Sequence, residues 1–247
     1  MKKIIPLLFM FLPGLLFAQS LEGAWKMTHQ NGKQMTEVEY IKIMQDGYFA
    51  FGAKEKDTNK FVSAGGGEFL VKDNVYQETL DFFTIKPEAV GETTVFRLDM
   101  VDGKMVITAQ VQGQTLVEIW EKVGERKDDL TANWVFTGRK RDGEISRSTP
   151  GARRTVKILS GGRFQWIAFN SATKEFMGTG GGTYTAENGK YVEKIDFFSR
   201  DDSRVGASLE FDFEIIEGEW HHSGTSSTGN PIYEIWTRYK DAYTPIK

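Results

Sequence analysis

The sequence predicts an all-β protein that consists of two tandem antiparallel up-and-down barrels, each with about eight strands. Three observations predict this fold class. A long segment of the chain is repeated, apolar and polar residues alternate over short stretches bounded by turn residues, and no window has the period of a helix. The 247 residues are enough for two domains that each bury a core.

The repeat is clearest in the middle of each half. Residues 61–83 return as residues 176–198 with the same spacing and no gap, and both copies contain Gly-Gly-Gly, Tyr-x-Glu and Asp-Phe-Phe. Such a match predicts two copies of one structural unit. We therefore divide the chain into an N-terminal segment at residues 1–18, a first barrel at residues 19–124 and a second barrel at residues 125–247.

The N-terminal segment has the layout of a cleaved secretory signal. Lys2 and Lys3 precede an apolar stretch at residues 4–17, and Ala18 is a small residue suited to cleavage. The stretch is too short for a stable transmembrane anchor, and no other stretch is apolar enough to span a bilayer. We therefore expect a periplasmic or secreted protein with no stable membrane span after cleavage.

Composition excludes several classes of site and partner. The chain has no cysteine, which excludes disulfides, thiolate metal sites and the lipid attachment of a lipoprotein. Its formal net charge is −3, which argues against non-specific nucleic-acid binding. No cofactor is implied, and a protein partner cannot be named from the sequence.

The first half is predicted to be a series of hairpins. Asn31-Gly32, Asp46-Gly47 and Asp102-Gly103 are typical two-residue turns, and the stretches between turns alternate in polarity. The predicted strands cover residues 23–29, 37–44, 48–53, 61–71, 75–85, 93–100, 104–111 and 115–123.

The second half follows the same course after a charged link at residues 124–129. It differs most at a polar loop, residues 223–230, and at a longer loop, residues 139–153. The longer loop and its edge carry a run of basic residues, which we interpret as a solvated loop or, alternatively, as a contact for an anion or a partner. These residues are Arg139, Lys140, Arg141, Arg147, Arg153 and Arg154.

Each half resembles the lipocalin-like (calycin) group. Gly23-Ala24-Trp25 resembles the Gly-x-Trp of the first lipocalin strand, and Trp236-Thr237-Arg238 resembles the closing strand, whose arginine covers that tryptophan. Lys122 replaces this arginine in the first half, and Asn133 replaces the glycine in the second. The Gly-Gly-Gly and Tyr-x-Glu sequences are similar to those of small, secreted, uncharacterised lipocalin-like proteins of Gram-negative bacteria. The resemblance implies a barrel that can enclose an apolar ligand, and it transfers no activity.

Alternation along the strands predicts two inward-facing carboxylates in each barrel. Tyr76, Glu78, Leu80 and Phe82 share one face, and so do their counterparts in the second copy. The last strand of each half likewise places a glutamate between apolar residues on one face. A buried carboxylate needs a partner, and candidates are Lys42 and Tyr76 in the first copy and Lys157, Tyr191 and Arg238 in the second.

These residues form the candidate ligand site of each barrel. Three interpretations remain open: a polar plug that closes the barrel, a polar cluster at the end of an apolar ligand cavity, and a catalytic acid–base pair. We name no catalytic and no metal-binding residue. The candidate ligand-binding residues are Lys42, Tyr76, Glu78, Glu118 and Trp120, then Lys157, Tyr191, Glu193, Glu234 and Trp236.

The glycine runs and the histidines carry less functional information. Gly65-Gly66-Gly67 lacks the helix and lysine of a phosphate-binding loop, so we expect a bend or a close backbone approach. His221 and His222 are expected at the surface or the rim, while His29 is expected inside the first barrel beside Trp25.

The function predicted from the sequence is binding of a small apolar or amphipathic molecule in the barrel cavities. The alternatives are a non-enzymatic interaction module with filled barrels, and an isomerase or hydrolase that uses the inward glutamates. An apolar cavity in either barrel would favour the ligand-binding function. Its expected wall residues are Phe49, Phe82 and Trp120, or Phe164, Phe197 and Trp236.

Overall fold

The computed structural model describes residues 21–226 and 229–242. The predicted signal, residues 1–18, lies outside the described residues. Two nine-stranded antiparallel sheets account for nearly all of the described chain, and each closes on itself because its first strand pairs with its last. The predicted fold class, two tandem up-and-down barrels, is confirmed.

The first barrel contains eight long strands and the short β2, which pairs only with β1. A 3-10 helix at Pro87–Ala89 lies between β6 and β7. The strands are β1 (Gly23–Gln30), β2 (Lys33–Gln34), β3 (Val38–Gln45), β4 (Tyr48–Glu55), β5 (Phe61–Lys72), β6 (Val75–Phe83), β7 (Thr93–Val101), β8 (Lys104–Val111) and β9 (Gln114–Gly124).

The second barrel repeats this order, with the short β11 in place of β2. A 3-10 helix at Asp202–Arg204 precedes β16, and a short helix α1 (Tyr239–Ala242) follows the last strand. The strands are β10 (Ala132–Arg141), β11 (Glu144–Arg147), β12 (Arg153–Ser160), β13 (Arg163–Asn170), β14 (Glu175–Glu187), β15 (Lys190–Phe198), β16 (Ser208–Ile216), β17 (Glu219–Thr225) and β18 (Pro231–Arg238).

The predicted hairpin turns form as their residues require. Asp46 and Gly47 both have positive φ, 54° and 75°, which is the conformation of a type I′ turn. The turn joins β3 to β4 in register, with Gln45 opposite Tyr48. Aspartate tolerates this left-handed conformation and glycine adopts it at no steric cost, so the sequence itself places the hairpin.

The glycine runs mark a β-bulge in each barrel. Gly66 is opposite Phe82 but Gly67 is opposite Leu80, so Asp81 is the extra residue in β6. A side chain at Gly67 would place its Cβ 1.9 Å from the carbonyl oxygen of Thr79. The expected close backbone approach is therefore confirmed, and the second barrel repeats it between Gly181 and Gly182.

This bulge overturns part of the predicted wall. The extra residue reverses the alternation beyond Leu80, so Phe83 lines the first barrel's cavity and Phe82 faces outward against the second barrel. Phe198 and Phe197 behave in the same way in the second barrel. Phe82 and Phe197 are therefore not cavity residues, because strict alternation holds only up to a bulge.

One end of each barrel is closed by packed apolar side chains and an aromatic–cation contact. Trp25 is buried and donates from Nε1 to the carbonyl of Leu21, and the Lys122 ammonium lies 5.5 Å from its ring centroid. In the second barrel the Arg238 guanidinium lies 4.9 Å from the ring of Trp134. Arg238, which was one candidate partner for the inward carboxylates of the second barrel, contacts this tryptophan.

The two barrels share a buried apolar interface made by their outer faces. Ile43 on β3 and Ile158 on β12 belong to one cluster that also contains Phe82. Phe61 lies parallel to Phe176, its repeat counterpart, with ring centroids 6.5 Å apart. Equivalent residues that contact each other indicate an approximate two-fold relation between the barrels.

A buried ion pair crosses this interface. Arg154 donates from Nη2 to Asp81 Oδ2 at 2.7 Å, and Tyr48 donates to the same carboxylate oxygen at 3.1 Å. Arg154 is enclosed, with its guanidinium 4.8 Å from the ring of Phe169. The interpretation of the basic run as a solvated loop is thus wrong for Arg154, which helps to join the barrels.

Candidate functional site

The first barrel encloses a cavity of about 310 Å³ above its packed end. Its wall is mainly apolar, and its polar residues come from facing strands rather than from one loop. The apolar wall consists of Met27, Tyr40, Phe51, Leu80, Phe83, Ile85, Phe96, Val111, Leu116 and Trp120. The polar lining consists of Gln30, Lys42, Ser63, Glu78, Thr94 and Glu118.

Lys42 and Glu78 form a buried ion pair at the floor of this cavity. The Lys42 Nζ lies 2.6 Å from Glu78 Oε1, and the lysine side chain is 3% exposed. Tyr76 donates its hydroxyl hydrogen to the same oxygen. Burial, with the Glu78 charge beside it, raises the pKa of Tyr76 well above its ordinary value, so the phenol remains a donor.

Aromatic rings surround the Lys42 ammonium on its other sides. Its Nζ lies 4.6 Å from the ring centroid of Trp120 and 5.2 Å from that of Phe49. These contacts hold the ammonium in a fixed position and supply cation–π attraction. The ion pair and these cation–π contacts together offset the desolvation penalty of burying the lysine inside the barrel.

Glu118 is the second carboxylate at the floor, and it has weaker partners. Trp120 donates to its Oε2 at 3.0 Å and Gln30 to its Oε1 at 3.3 Å, and both donors are neutral. Burial raises the pKa of Glu118; the Lys42 charge lowers it, and the neighbouring Glu78 raises it further. Within the described part of the chain, no basic nitrogen lies within ion-pair distance of Glu118.

The second barrel has an equivalent cavity of about 210 Å³. Lys157 Nζ lies 2.8 Å from Glu193 Oε1, and Tyr191 donates to that oxygen at 2.8 Å. Trp236 donates from Nε1 to Glu234 Oε2 at 3.2 Å. The repeat therefore reproduces the lysine, both glutamates, the tyrosine and the tryptophan of the first barrel.

His222 distinguishes the second cavity from the first. It is 2% exposed, lines the cavity, and its Nδ1 lies 3.5 Å from Glu234 Oε2. The prediction of a surface or rim position is wrong for this residue. Trp220 pairs with Trp236 across the hairpin, and in this register His222 lies opposite Glu234 and faces inward.

The environment of His222 keeps its imidazole neutral and Glu234 ionised. Burial lowers the pKa of His222, and the Lys157 charge adds to this, although Glu234 opposes both. Burial alone would raise the pKa of Glu234, but the contact with His222 and the charge of Lys157 outweigh it and lower that pKa. In the first barrel, Ile107 occupies the position of His222 opposite Glu118.

Most of the predicted site residues line the cavities, and two lie just beneath them. Tyr76 and Tyr191 are fully buried supports that position Glu78 and Glu193 rather than face the open space. The residues that line their cavities are Lys42, Glu78, Glu118 and Trp120, then Lys157, Glu193, Glu234 and Trp236.

Sequence reasoning missed several wall residues and also misplaced His29. His29 was expected inside, but a register shift between Met27 and His29 makes Thr28 the extra residue, so Gln30 lines the cavity instead. Leu80 and Leu116 line the cavity on the inward faces that alternation predicts for them. Phe51 could have been found as well, since it lies on the same strand face as the predicted wall residue Phe49. Ser63 had no distinguishing signal.

The polar residues that line the two cavities offer hydrogen bonds and charges to a small molecule, and the apolar walls offer it a hydrophobic surface. Among the described residues, no cluster of three or more His, Asp or Glu side chains is arranged to hold a metal ion. No helix within the described ranges is long and apolar enough to cross a membrane.

Comparison with known proteins finds one family model that matches part of the chain. A family model described as "Domain of unknown function (DUF4488)" matches residues 20–129, which include the whole first barrel. Among solved structures, the uncharacterized protein YLR301w from Saccharomyces cerevisiae is similar at 10% identity and a TM-score of 0.46, over 86% of this chain and 97% of that one. No curated protein shows significant similarity to the chain.

Proposed function

We propose that the protein is a binding protein for a small amphipathic molecule, held in the cavity of the first barrel. The observation that carries the proposal is the cavity of about 310 Å³ with an apolar wall and a polar floor. This volume lies at the lower end of the range for ligand pockets, which are likewise mostly apolar with a few convergent polar groups.

The closed end of the barrel supports the same proposal. Trp25, Phe49 and Tyr76 are fully buried there, so the packing is dense on one side of the Lys42–Glu78 pair and open on the other. The polar cluster is therefore both the upper limit of the core and the floor of the pocket. An interaction module with filled barrels would continue the dense packing through this region.

We also propose that the protein acts in the periplasm or outside the cell and is related to the lipocalin-like group. The layout of residues 1–18 supports export. The cation placed over the first-strand tryptophan of each barrel, Lys122 over Trp25 and Arg238 over Trp134, supports the kinship.

The test is binding of the hydrophobic fluorophore N-phenyl-1-naphthylamine by the wild-type chain and by two cavity-filling variants. Leu80→Trp should occupy the first cavity and abolish the rise in probe emission. Ile195→Trp fills the equivalent place in the second barrel and is the matched control, because it leaves the first cavity open. Uptake that is absent in the wild type, or unchanged in Leu80→Trp, would contradict the proposal.

A further inference from the structure

Glu118 and Glu234 occupy equivalent places in the two barrels but have different neighbours. Each accepts a bond from the tryptophan two residues later, and each faces the cavity of its barrel. Glu234 has the imidazole of His222 3.5 Å away. Glu118 has Ile107 at that position, which supplies no polar atom.

The first barrel therefore contains more acid than base around its cavity. Two carboxylates, Glu78 and Glu118, face one ammonium, and Lys42 already donates to Glu78 at 2.6 Å. Lys42 has aromatic rings on its other sides, so an anionic ligand would find no available cation at the floor. A ligand that brings its own positive charge would complete the cluster.

A second polar group also lacks a partner in this cavity. Ser63 lines the wall, is fully buried, and its Oγ makes no hydrogen bond within the described residues. Ser63 pairs with Ala53 on the neighbouring strand, and Ala53 pairs with Tyr40. Tyr40 is the next inward-facing residue after Lys42 on its strand, so Ser63 lies one layer nearer the cavity opening than Lys42. Buried polar groups in native proteins are normally satisfied, so this hydroxyl points to a ligand that supplies the partner.

We propose that the first barrel selects amphipathic amines, with the ligand's ammonium group bound to Glu118 from the cavity and supplying the polar contact that Ile107 cannot. The apolar part of the ligand lies along Phe51, Leu80 and Leu116. This inference rests on the proposed function, and it specifies the chemical class of ligand. A charge-assisted hydrogen bond to Glu118 supplies the preference for an amine over a neutral head group.

The experiment compares three probes of equal chain length, n-octylamine, 1-octanol and octanoate, by isothermal titration calorimetry on the full chain. Octylamine should bind about tenfold or more tightly than octanol, and octanoate more weakly than either. Equal or tighter binding of octanol or octanoate overturns the inference and leaves the proposed function standing. Failure of all three probes to bind overturns both.

Three variants assign the preference to this carboxylate. Glu118→Gln should lose about tenfold or more in octylamine affinity while octanol binding changes less than about threefold. Ile107→His places an imidazole opposite Glu118, as in the second barrel, and should also abolish the preference for the amine. Glu234→Gln is the matched control and should leave octylamine binding unchanged. A loss of affinity in Glu234→Gln equal to that in Glu118→Gln would contradict the assignment of the amine site to the first barrel.

If one of Glu118→Gln and Ile107→His fails to fold, the other still tests the assignment. Circular dichroism will show whether each variant is folded. Glu118→Gln keeps an acceptor for Trp120 and has nearly the same shape as the glutamate. Octylamine affinity that is unchanged in a folded Glu118→Gln or Ile107→His protein would overturn the assignment.

Discussion

Replacing Lys42 by methionine should lower the free energy of unfolding by about 3–5 kcal/mol, the usual cost of breaking a buried ion pair. Methionine keeps the apolar stem that packs on Trp120 and Phe49, so the change removes the charge with little loss of volume. Glu78 would retain only its bond from Tyr76, inside a cavity with a mainly apolar wall. The Glu78 side chain is only 12% exposed, so water compensates poorly for the lost ammonium.

The assay is urea unfolding followed by far-ultraviolet circular dichroism. With a slope of about 2 kcal/mol per molar urea, the expected loss lowers the midpoint by about 1.5–2.5 M. The double variant Lys42→Met with Glu78→Met removes both charges and should recover most of the loss, since apolar replacements of a buried pair are often neutral. A single-variant cost below about 1 kcal/mol, or a double variant as unstable as the single, would refute the view that the pair is a buried charged unit.

Three further perturbations test the electrostatics and the bulge. Because the folded-state pKa of Glu118 is raised, the wild type loses stability as pH rises above the unfolded value of about 4.3. Glu118→Gln should therefore be more stable than the wild type near pH 7, with a difference that vanishes toward pH 4 in urea titrations; a difference that grows in acid would contradict this. The pKa of His222 is lowered, so its contribution to stability declines as pH falls below about 6.5, and His222→Ile should remove that decline from a plot of melting temperature against pH. An acid decline of the same size in the variant would show that other groups cause it. Gly67→Ala should cost about 2–3 kcal/mol or more because its Cβ meets a carbonyl oxygen at 1.9 Å. Gly151→Ala meets no atom within 4 Å and should stay within about 0.5 kcal/mol of the wild type by thermal unfolding; equal effects of the two would refute the steric argument.

The barrels and the polar clusters could be predicted from the sequence because both depend on local patterns that the chain repeats. Turns such as Asp46-Gly47 fix where hairpins begin and end. The alternation from Tyr76 to Leu80 places Glu78 inside, and Lys42 lies on the inward face of its own strand. The sequence therefore predicts both partners of Glu78, Lys42 and Tyr76.

The errors begin where a strand contains an extra residue. Phe82 and His29 both follow a bulge, so each lies on the face opposite to the one that alternation predicts. The glycine run signalled the bend at Gly66 and Gly67, but its effect on the Asp-Phe-Phe sequence of the paired strand depends on register, which a single strand does not encode.

Contacts between distant parts of the chain also could not be predicted from the sequence. The bond of Arg154 to Asp81 depends on how the two barrels dock, and the repeat alone contains no information on docking. The inward position of His222 depends on its pairing with Glu234 across a hairpin whose loop differs from that of the first copy. The substitution of Ile107 for His222 becomes informative only when both residues are seen opposite a carboxylate.

The most direct test of ligand binding in the first barrel is native mass spectrometry of the protein after export and gentle purification without detergent. The native mass should exceed the mass of the denatured chain by that of one small molecule, which dissociates on activation. The extra mass should be absent from Leu80→Trp and retained in Ile195→Trp. A wild-type protein with no extra mass, or an extra mass that persists in Leu80→Trp, would contradict the account.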